Sequence, residues 1–242
     1  MSNNKATITS LSVIMPAYNE EESIAAAVED VELHILNKIP NSELVVVNDG
    51  SKDSTGTILD KIAEKNPCVH VIHQVNGGHG PAIMTGLDNS SGKYVFLIDS
   101  DRQIPLDNFE ELWGYIQEGY NGVFGVRRQR HDPIIRLWLT RVIRLSLTLL
   151  FGLKIYDANI PFKLFQCSIW EEAKSLMTPD TLAPSLFLAL FVKKKGYKIK
   201  DIDIPHQQRA TGEVSIKRMK LLKFCIKAFR QMWTFRRALR HL

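Results

Sequence analysis

Four times within the first 118 residues, a short apolar run breaks into turn-forming residues and then into a helical pattern. The runs are Leu11–Ala17, Glu43–Asn48, Val69–His73 and Tyr94–Asp99, and the helical patterns after them reach to about Leu36, Lys65, Asn89 and Glu118. Such runs, rich in Val, Ile and Phe with little polar alternation, read as strands buried on both faces. Alternating with helices, they predict an α/β fold: a Rossmann-like, mostly parallel sheet flanked by helices and wound by right-handed crossovers. Asn19 with Glu22 resembles a capping box for the first helix. Asp49-Gly50-Ser51-Lys52-Asp53-Ser54-Thr55 supplies the turn and cap for the second.

After residue 118 the pattern changes. Gly122–Arg127 reads as a strand, and Pro133–Gly152 as a helix with Arg136, Arg141 and Arg144 on one arc. Pro161–Gln166 is strand-like, helical stretches follow around Ser168–Met177 and Ser185–Lys195, and Lys198–Ile204 alternates like an edge strand. Ser215–Arg240 reads as a long final helix. Its Lys220, Lys223, Lys227, Arg230 and Arg237 recur at helical spacing, and Met219, Leu222, Ile226, Phe229 and Trp233 line another face.

At 242 residues and 45% hydrophobic, the chain is large enough for a real core in one domain with an appendage. No apolar run reaches the roughly 18 residues of a membrane span. Met1-Ser2-Asn3-Asn4-Lys5 leads straight toward a strand without the shape of a signal peptide. Cys68, Cys167 and Cys225 are isolated from one another, which predicts buried structural thiols in a reducing, cytoplasmic setting. Residues 193–242 carry 15 Lys+Arg against 3 Asp+Glu, and the remainder 16 against 23. An acidic body with a basic tail points to an anionic partner at that end. A basic tail also suits nucleic acid, but no nucleic-acid-binding module accompanies it, so nucleic acid is not an expected partner.

The chemistry concentrates where the strands end. Val95-Phe96-Leu97-Ile98 runs into Asp99-Ser100-Asp101-Arg102-Gln103, with Pro105 blocking a simple continuation. Ligands of open α/β sheets sit just beyond the carboxyl ends of strands, and oxygen donors there suit a hard divalent cation shared with phosphates. The first two strands also end in acidic residues, Glu20 and Asp49, suited to ribose hydroxyls or a base, while Tyr18 offers a ring for stacking. Taken singly, each carboxylate reads more simply as a helix cap. Together, three strands delivering acids to one edge read as a nucleotide-diphosphate site.

These residues carry a resemblance. Pro16-Ala17-Tyr18-Asn19-Glu20-Glu21, Val47-Asn48-Asp49-Gly50-Ser51, Asn76-x-Gly78 with Ala82 and Gly86, and Asp99-Ser100-Asp101-Arg102-Gln103 resemble the inverting family 2 glycosyltransferases of the GT-A fold. Within that family the chain is most similar to dolichyl-phosphate mannose synthases and bacterial polyprenyl-phosphate glycosyltransferases. The similarity is strong over residues 10–128 and looser over 157–217. It implies that Pro16, Tyr18, Glu20, Val47 and Asp49 hold the nucleoside, and that Asp99 and Ser100 line the ribose and diphosphate. Asp101 and Gln103 would ligate Mg²⁺ or Mn²⁺, and Arg127 would approach the donor. Lys163, where the family often has Arg, would reach the acceptor phosphate. Arg209 would belong to a late mobile loop and Lys217 would touch the donor phosphates. The implied domains are a GT-A body over 1–212, with a nucleotide-sugar half of about 8–128 and an acceptor half of about 129–212, and a basic amphipathic helix over 213–242.

The implied activity is metal-dependent transfer of a sugar from a UDP- or GDP-sugar to a polyprenyl phosphate. The enzyme would lie peripherally on the cytoplasmic membrane face, its basic helices against anionic lipid. A phosphate acceptor is already an anion and needs no catalytic base, and no His or Asp declares itself as one. Several features depart from the family. Gly212-Glu213-Val214-Ser215-Ile216-Lys217 is a stretched form of the usual Gly-x-Ser-Lys, Asn48 stands where a second Asp is frequent, and a basic residue is common near His79. The membrane helices that many such enzymes add are not present, which leaves room for an integral-membrane partner subunit. Transfer to a glycan hydroxyl is the rival within the class. A nucleotidyltransferase, the rival outside it, would carry a Gly-rich basic loop where this chain has Tyr18-Asn19-Glu20-Glu21-Glu22.

Overall fold

A computed structural model of the chain describes residues 10–127, 147–153, 157, 159–205 and 218–240, except for the side chains of 218–225. The elements are β1 (Leu11–Ala17), α1 (Ile24–Val31), β2 (Ser42–Asn48), α2 (Thr55–Ala63), β3 (Val69–His73), α3 (His79–Asp88), β4 (Tyr94–Leu97) and α4 (Phe109–Gln117). Then come β5 (Gly122–Val126), β6 (Lys163–Gln166), α5 (Cys167–Lys174), α6 (Pro184–Lys195), β7 (Ile199–Asp203) and α7 (Arg218–Leu239). Residues 147–151 are helical. The rest of the predicted helix Pro133–Gly152, with Arg136, Arg141 and Arg144, lies outside the described residues.

The seven strands form one sheet in the order β3-β2-β1-β4-β6-β5-β7. β1 pairs in parallel with β2 and β4, β2 with β3, and β5 with β7; β6 runs antiparallel to both β4 and β5. The expected mostly parallel α/β sheet is therefore present. The chain winds outward from β1 to β3, then crosses back through α3 to place β4 on the other side of β1. That reversal is a topological switch point, where the loops beyond the two strands part and leave a crevice.

Two cores cover the two faces, and the period of two along β1 sorts its residues between them. Val13, Met15 and Ala17 face α1, α2 and α4 with Leu44, Val46 and Phe96. Ile14 faces α3 and α6 with Val45, Val47, Val95 and Leu97. The stretch of α6 from Pro184 to Val192 is buried all around, which explains its lack of a polar face. β7 is the edge strand expected from its alternating pattern.

Two local expectations are corrected, and the last helix gains a second face. The capping box does not form: Asn19 takes a left-handed conformation (φ 54°), and α1 starts only after Ser23. Asn19 accepts the Lys52 amide and donates its own to Ser51 Oγ, tying two loops together instead of opening a helix. Cys68, expected to be buried, is exposed, and Cys167 is half-buried. The last helix has two apolar faces. Met232, Phe235 and Leu239 are buried, with Phe235 4.6 Å from Phe187 of α6, while Ile226, Phe229 and Trp233 are exposed.

α3 packs closely on the sheet. A Cβ on Gly86 would stand 2.3 Å from Ile14 Cγ2 of β1. Gly86→Ala should therefore destabilise the fold by about 1–3 kcal/mol, the usual range for an overpacked contact. Urea denaturation measures it, and an unchanged midpoint would contradict so close an approach.

Candidate active site

The parallel strands end at one edge, and their register brings the acidic loops together. Ala17 pairs with Asn48, and Ile14 with Leu97, so Tyr18, Asp49 and Asp99 all follow at the rim of the switch-point crevice. β5 runs parallel to β4, and β6 starts at this edge because it is antiparallel. Arg127 and Lys163 consequently flank the same rim.

On the β1–β2 side, Pro16 and Val47 are paired neighbours buried in the sheet, and Tyr18 is 41% exposed at the rim. Glu20 takes the Ser23 hydroxyl on its Oε2 at 2.8 Å, and its amide donates to Thr55 Oγ1 at 2.8 Å. Asp49 is buried. Its Oδ1 accepts Gln74 Nε2 (2.7 Å) and the Gly77 amide (2.8 Å), and its Oδ2 accepts the Gly78 amide (2.8 Å). Asp49 thus clamps the loop that opens α3. A carboxylate has about four acceptor positions, and these bonds use three of them. Gly50 must be glycine here: its φ is +69°, and a Cβ would meet the Asn76 amide nitrogen at 2.7 Å. Asn48 adds a second brace, accepting the Ser51 amide on Oδ1 and donating from Nδ2 to His73 Nδ1 at 2.9 Å; His73 Nε2 in turn faces Asp60 at 2.9 Å.

The β4 side carries the acidic turn. Ser100 is buried, and Asp99, Asp101 and Gln103 are half-buried. The Gln103 amide donates to Asp101 Oδ1 at 3.2 Å. Between them Arg102 adopts φ 55°, a left-handed conformation that costs a non-glycine residue about 1–2 kcal/mol. His79 Nε2 lies 3.6 Å from Asp99 Oδ1. Among the described residues, no three His, Cys, Asp or Glu side chains converge as a metal cage. Asp101 and Gln103 offer two hard oxygen donors on one turn. That set fits Mg²⁺ or Mn²⁺, which retain water and phosphate ligands and need only one or two from the protein.

The basic flank joins half-buried Arg127 to buried Lys163 through Asp157. Arg127 forks onto Asp157, with Nε to Oδ2 at 2.7 Å and Nη2 to Oδ1 at 3.1 Å, and the Arg127 amide also reaches Oδ2. Lys163 is only 1% exposed; its amine donates to the Ile160 carbonyl and lies 5.4 Å from the centre of the Phe124 ring. Burial pushes that amine down from 10.5 to about 7, Asp157 opposing the fall and Arg127 adding to it. Arg209 and Lys217 lie outside the described residues. The sequence does not single out Asp157, Asp30 or His73, because each acts through a partner distant along the chain.

The comparisons with known proteins agree with this architecture. Residues 12–172 match the family described as glycosyl transferase family 2. The undecaprenyl-phosphate 4-deoxy-4-formamido-L-arabinose transferase of Pseudomonas paraeruginosa is 29% identical over 214 residues, 88% of this chain and 62% of that protein. The Photorhabdus laumondii protein of the same name is 27% identical over 217 residues, 89% of this chain and 65% of its own. The chain thus spans somewhat under two thirds of the length of these relatives. Among solved structures, glucosyl-3-phosphoglycerate synthase from Mycobacterium tuberculosis, in complex with Mn²⁺, UDP and phosphoglyceric acid, superposes with a TM-score of 0.67. It is 19% identical and covers 94% of this chain and 78% of its own. TarS of S. aureus gives 0.59 at 20% identity over 82% of this chain and 60% of its own. At these identities the likeness is one of fold.

The buried Lys163 amine couples stability to pH. Its folded pKa lies below its unfolded one, so between about pH 7 and 10.5 the unfolded chain binds more protons and stability rises with pH. Lys163→Met removes that dependence. The stability advantage of the variant over wild type should shrink by about 3 kcal/mol between pH 7 and 10, because one proton held only by the unfolded chain is worth about 1.4 kcal/mol for each pH unit crossed. Urea denaturation of both proteins at the two pH values measures it. A difference that stays constant would contradict a buried amine with a lowered pKa.

Proposed function

The chain belongs to glycosyl transferase family 2, and on that premise we propose that it moves a sugar from a UDP- or GDP-sugar to a polyprenyl phosphate with inversion at the anomeric carbon. The observation that carries the acceptor is the reach of the similarity to the undecaprenyl-phosphate transferases. It runs over 88% of the chain, beyond the donor half.

In this reading the nucleoside lies between Tyr18 and the Asp49 loop, over Pro16 and Val47, with Glu20 on the ribose side. Asp99 and the buried Ser100 line the path to the diphosphate. Asp101 and Gln103 hold a divalent cation, which when bound supplies positive charge to the leaving diphosphate. Positive charge builds on the sugar as the bond to the nucleotide breaks, and negative charge collects on the diphosphate, toward which Arg127, oriented by Asp157, is assigned. Arg209 and Lys217 are assigned to the same phosphates by resemblance alone. Lys163 serves the acceptor phosphate only after its amine leaves the Ile160 carbonyl.

The membrane part of the proposal rests on α7. No helix among the described residues is long and apolar enough to cross a membrane. The outer face of α7 carries exposed Ile226, Phe229 and Trp233, and the guanidinium groups of Arg236 and Arg237 lie 5.7 and 5.8 Å from the Trp233 ring. Aromatic and aliphatic side chains beside cations suit the interface of an anionic leaflet. An integral-membrane subunit is a further partner in this scheme.

A second reading has one specific support. Transfer to a glycan hydroxyl needs a base, and His79 beside Asp99 is a pair that could act as one.

Purified protein given radiolabelled UDP- or GDP-sugars, Mn²⁺ and a short polyprenyl phosphate should form a labelled lipid. Asp101→Asn should lower that transfer at least about 100-fold. No lipid product with any donor would sink the lipid-phosphate acceptor, and near wild-type turnover of Asp101→Asn would sink the metal assignment. Trp233→Glu, which spares the buried Met232 face, should weaken sedimentation with phosphatidylserine vesicles about tenfold. Unchanged sedimentation would remove α7 from the membrane contact.

A further inference from the structure

We propose that Asp30 is a positioning residue: through paired bonds to Arg102 it holds the Asp101–Gln103 turn in the conformation that presents both side chains to a divalent cation. This rests on the metal assignment made above and adds a device that controls it.

Arg102 is the one residue between the two proposed ligands, and it sits at φ 55°, a conformation that glycine adopts freely and arginine does not. A strained residue persists when its surroundings hold it. The hold is visible: Arg102 Nε donates to Asp30 Oδ2 at 2.6 Å and Nη2 to Oδ1 at 3.2 Å, a forked pair bridging 72 residues of sequence. Forked Arg–carboxylate pairs fix direction as well as distance. Finally, Asp30, Asp99, Asp101 and Arg102 share one small pocket beside the crevice.

The base of this strut is rigid. Asp30 lies near the end of α1, whose Ile24, Ala27, Val28 and Val31 are buried in the core. The pair itself is partly exposed, with side chains 47% and 33% accessible. Exposed pairs add little to global stability. The consequence of losing it should therefore appear in the geometry of the turn rather than in the unfolding midpoint.

Charge and position make opposite predictions, which separates them. Asp30→Asn removes a negative charge near the ligands and Arg102→Gln removes a positive one while keeping a side chain at the strained φ, so a purely electrostatic role would move metal affinity in opposite directions. Positioning requires both to weaken it. Mn²⁺ binding in the presence of UDP or GDP, followed by electron paramagnetic resonance of free Mn²⁺, should fall about 10-fold in each variant, the usual effect of losing a partner behind a metal ligand. The double variant should bind no more weakly than either single one, Asp30→Glu should recover part of the affinity, and unfolding midpoints should stay near wild type. Wild-type Mn²⁺ affinity in both single variants, or shifts of opposite sign, would overturn the positioning role while leaving the metal assignment intact. Failure of the unaltered protein to bind Mn²⁺ with either nucleotide would overturn both.

Discussion

The parallel pairing of β4 with β1 is the constraint on which the rest depends. The first three strands grow outward in one direction, and α3 carries the chain back so that β4 lands on the opposite side of β1. α3 packs against β1 at Gly86, where a Cβ would meet Ile14. The reversal parts the loops after β1 and β4, and the resulting crevice receives every acidic turn of the first half. The antiparallel β6 then brings Lys163 to the same rim, directly beside Leu97 of β4.

Around the crevice, most polar side chains are fastened to one another. Asp49 fixes the glycine loop before α3, Asn48 and His73 brace the turn after β2, Asn19 and Glu21 knit the first loop to the second, and Asp157 fixes Arg127. Such bracing lowers the reorganisation needed when charge develops in a bound substrate. It also sorts the residues by side: acids on the turns of β1, β2 and β4, and the basic residues Arg127 and Lys163, with Asp157 between them, at β5 and β6. A diphosphate between them would meet the proposed metal ligands Asp101 and Gln103 and the Arg127 guanidinium.

Much of the fold is legible in the sequence because it depends on short-range pattern. Buried strands announce themselves by unbroken β-branched runs, and all seven strands fall within a few residues of where the pattern puts them. The clustering of Tyr18, Asp49, Asp99 and Asp101 follows from strand order alone. What stays hidden depends on conformation or distant partners. Asn19 looks like a cap because a capping box is a spacing, whereas its left-handed backbone is set by contacts 32 and 33 residues away. Asp30 is an ordinary acid on a helix until Arg102 is folded against it. The outward face of α7 matches its apolar spacing, but the buried Met232–Phe235–Leu239 face depends on α6, which no local pattern reveals.

If the acidic turn after β4 and the loops after β1 and β2 form one metal-assisted nucleotide site, a single crystal can show it. The protein crystallised with UDP or GDP and Mn²⁺, and measured at the manganese absorption edge, should give an anomalous peak within ligand distance of Asp101 and Gln103. The base should lie beside Tyr18, with the diphosphate reaching toward Arg127. A nucleotide bound elsewhere, or a metal that touches neither Asp101 nor Gln103, would contradict that site.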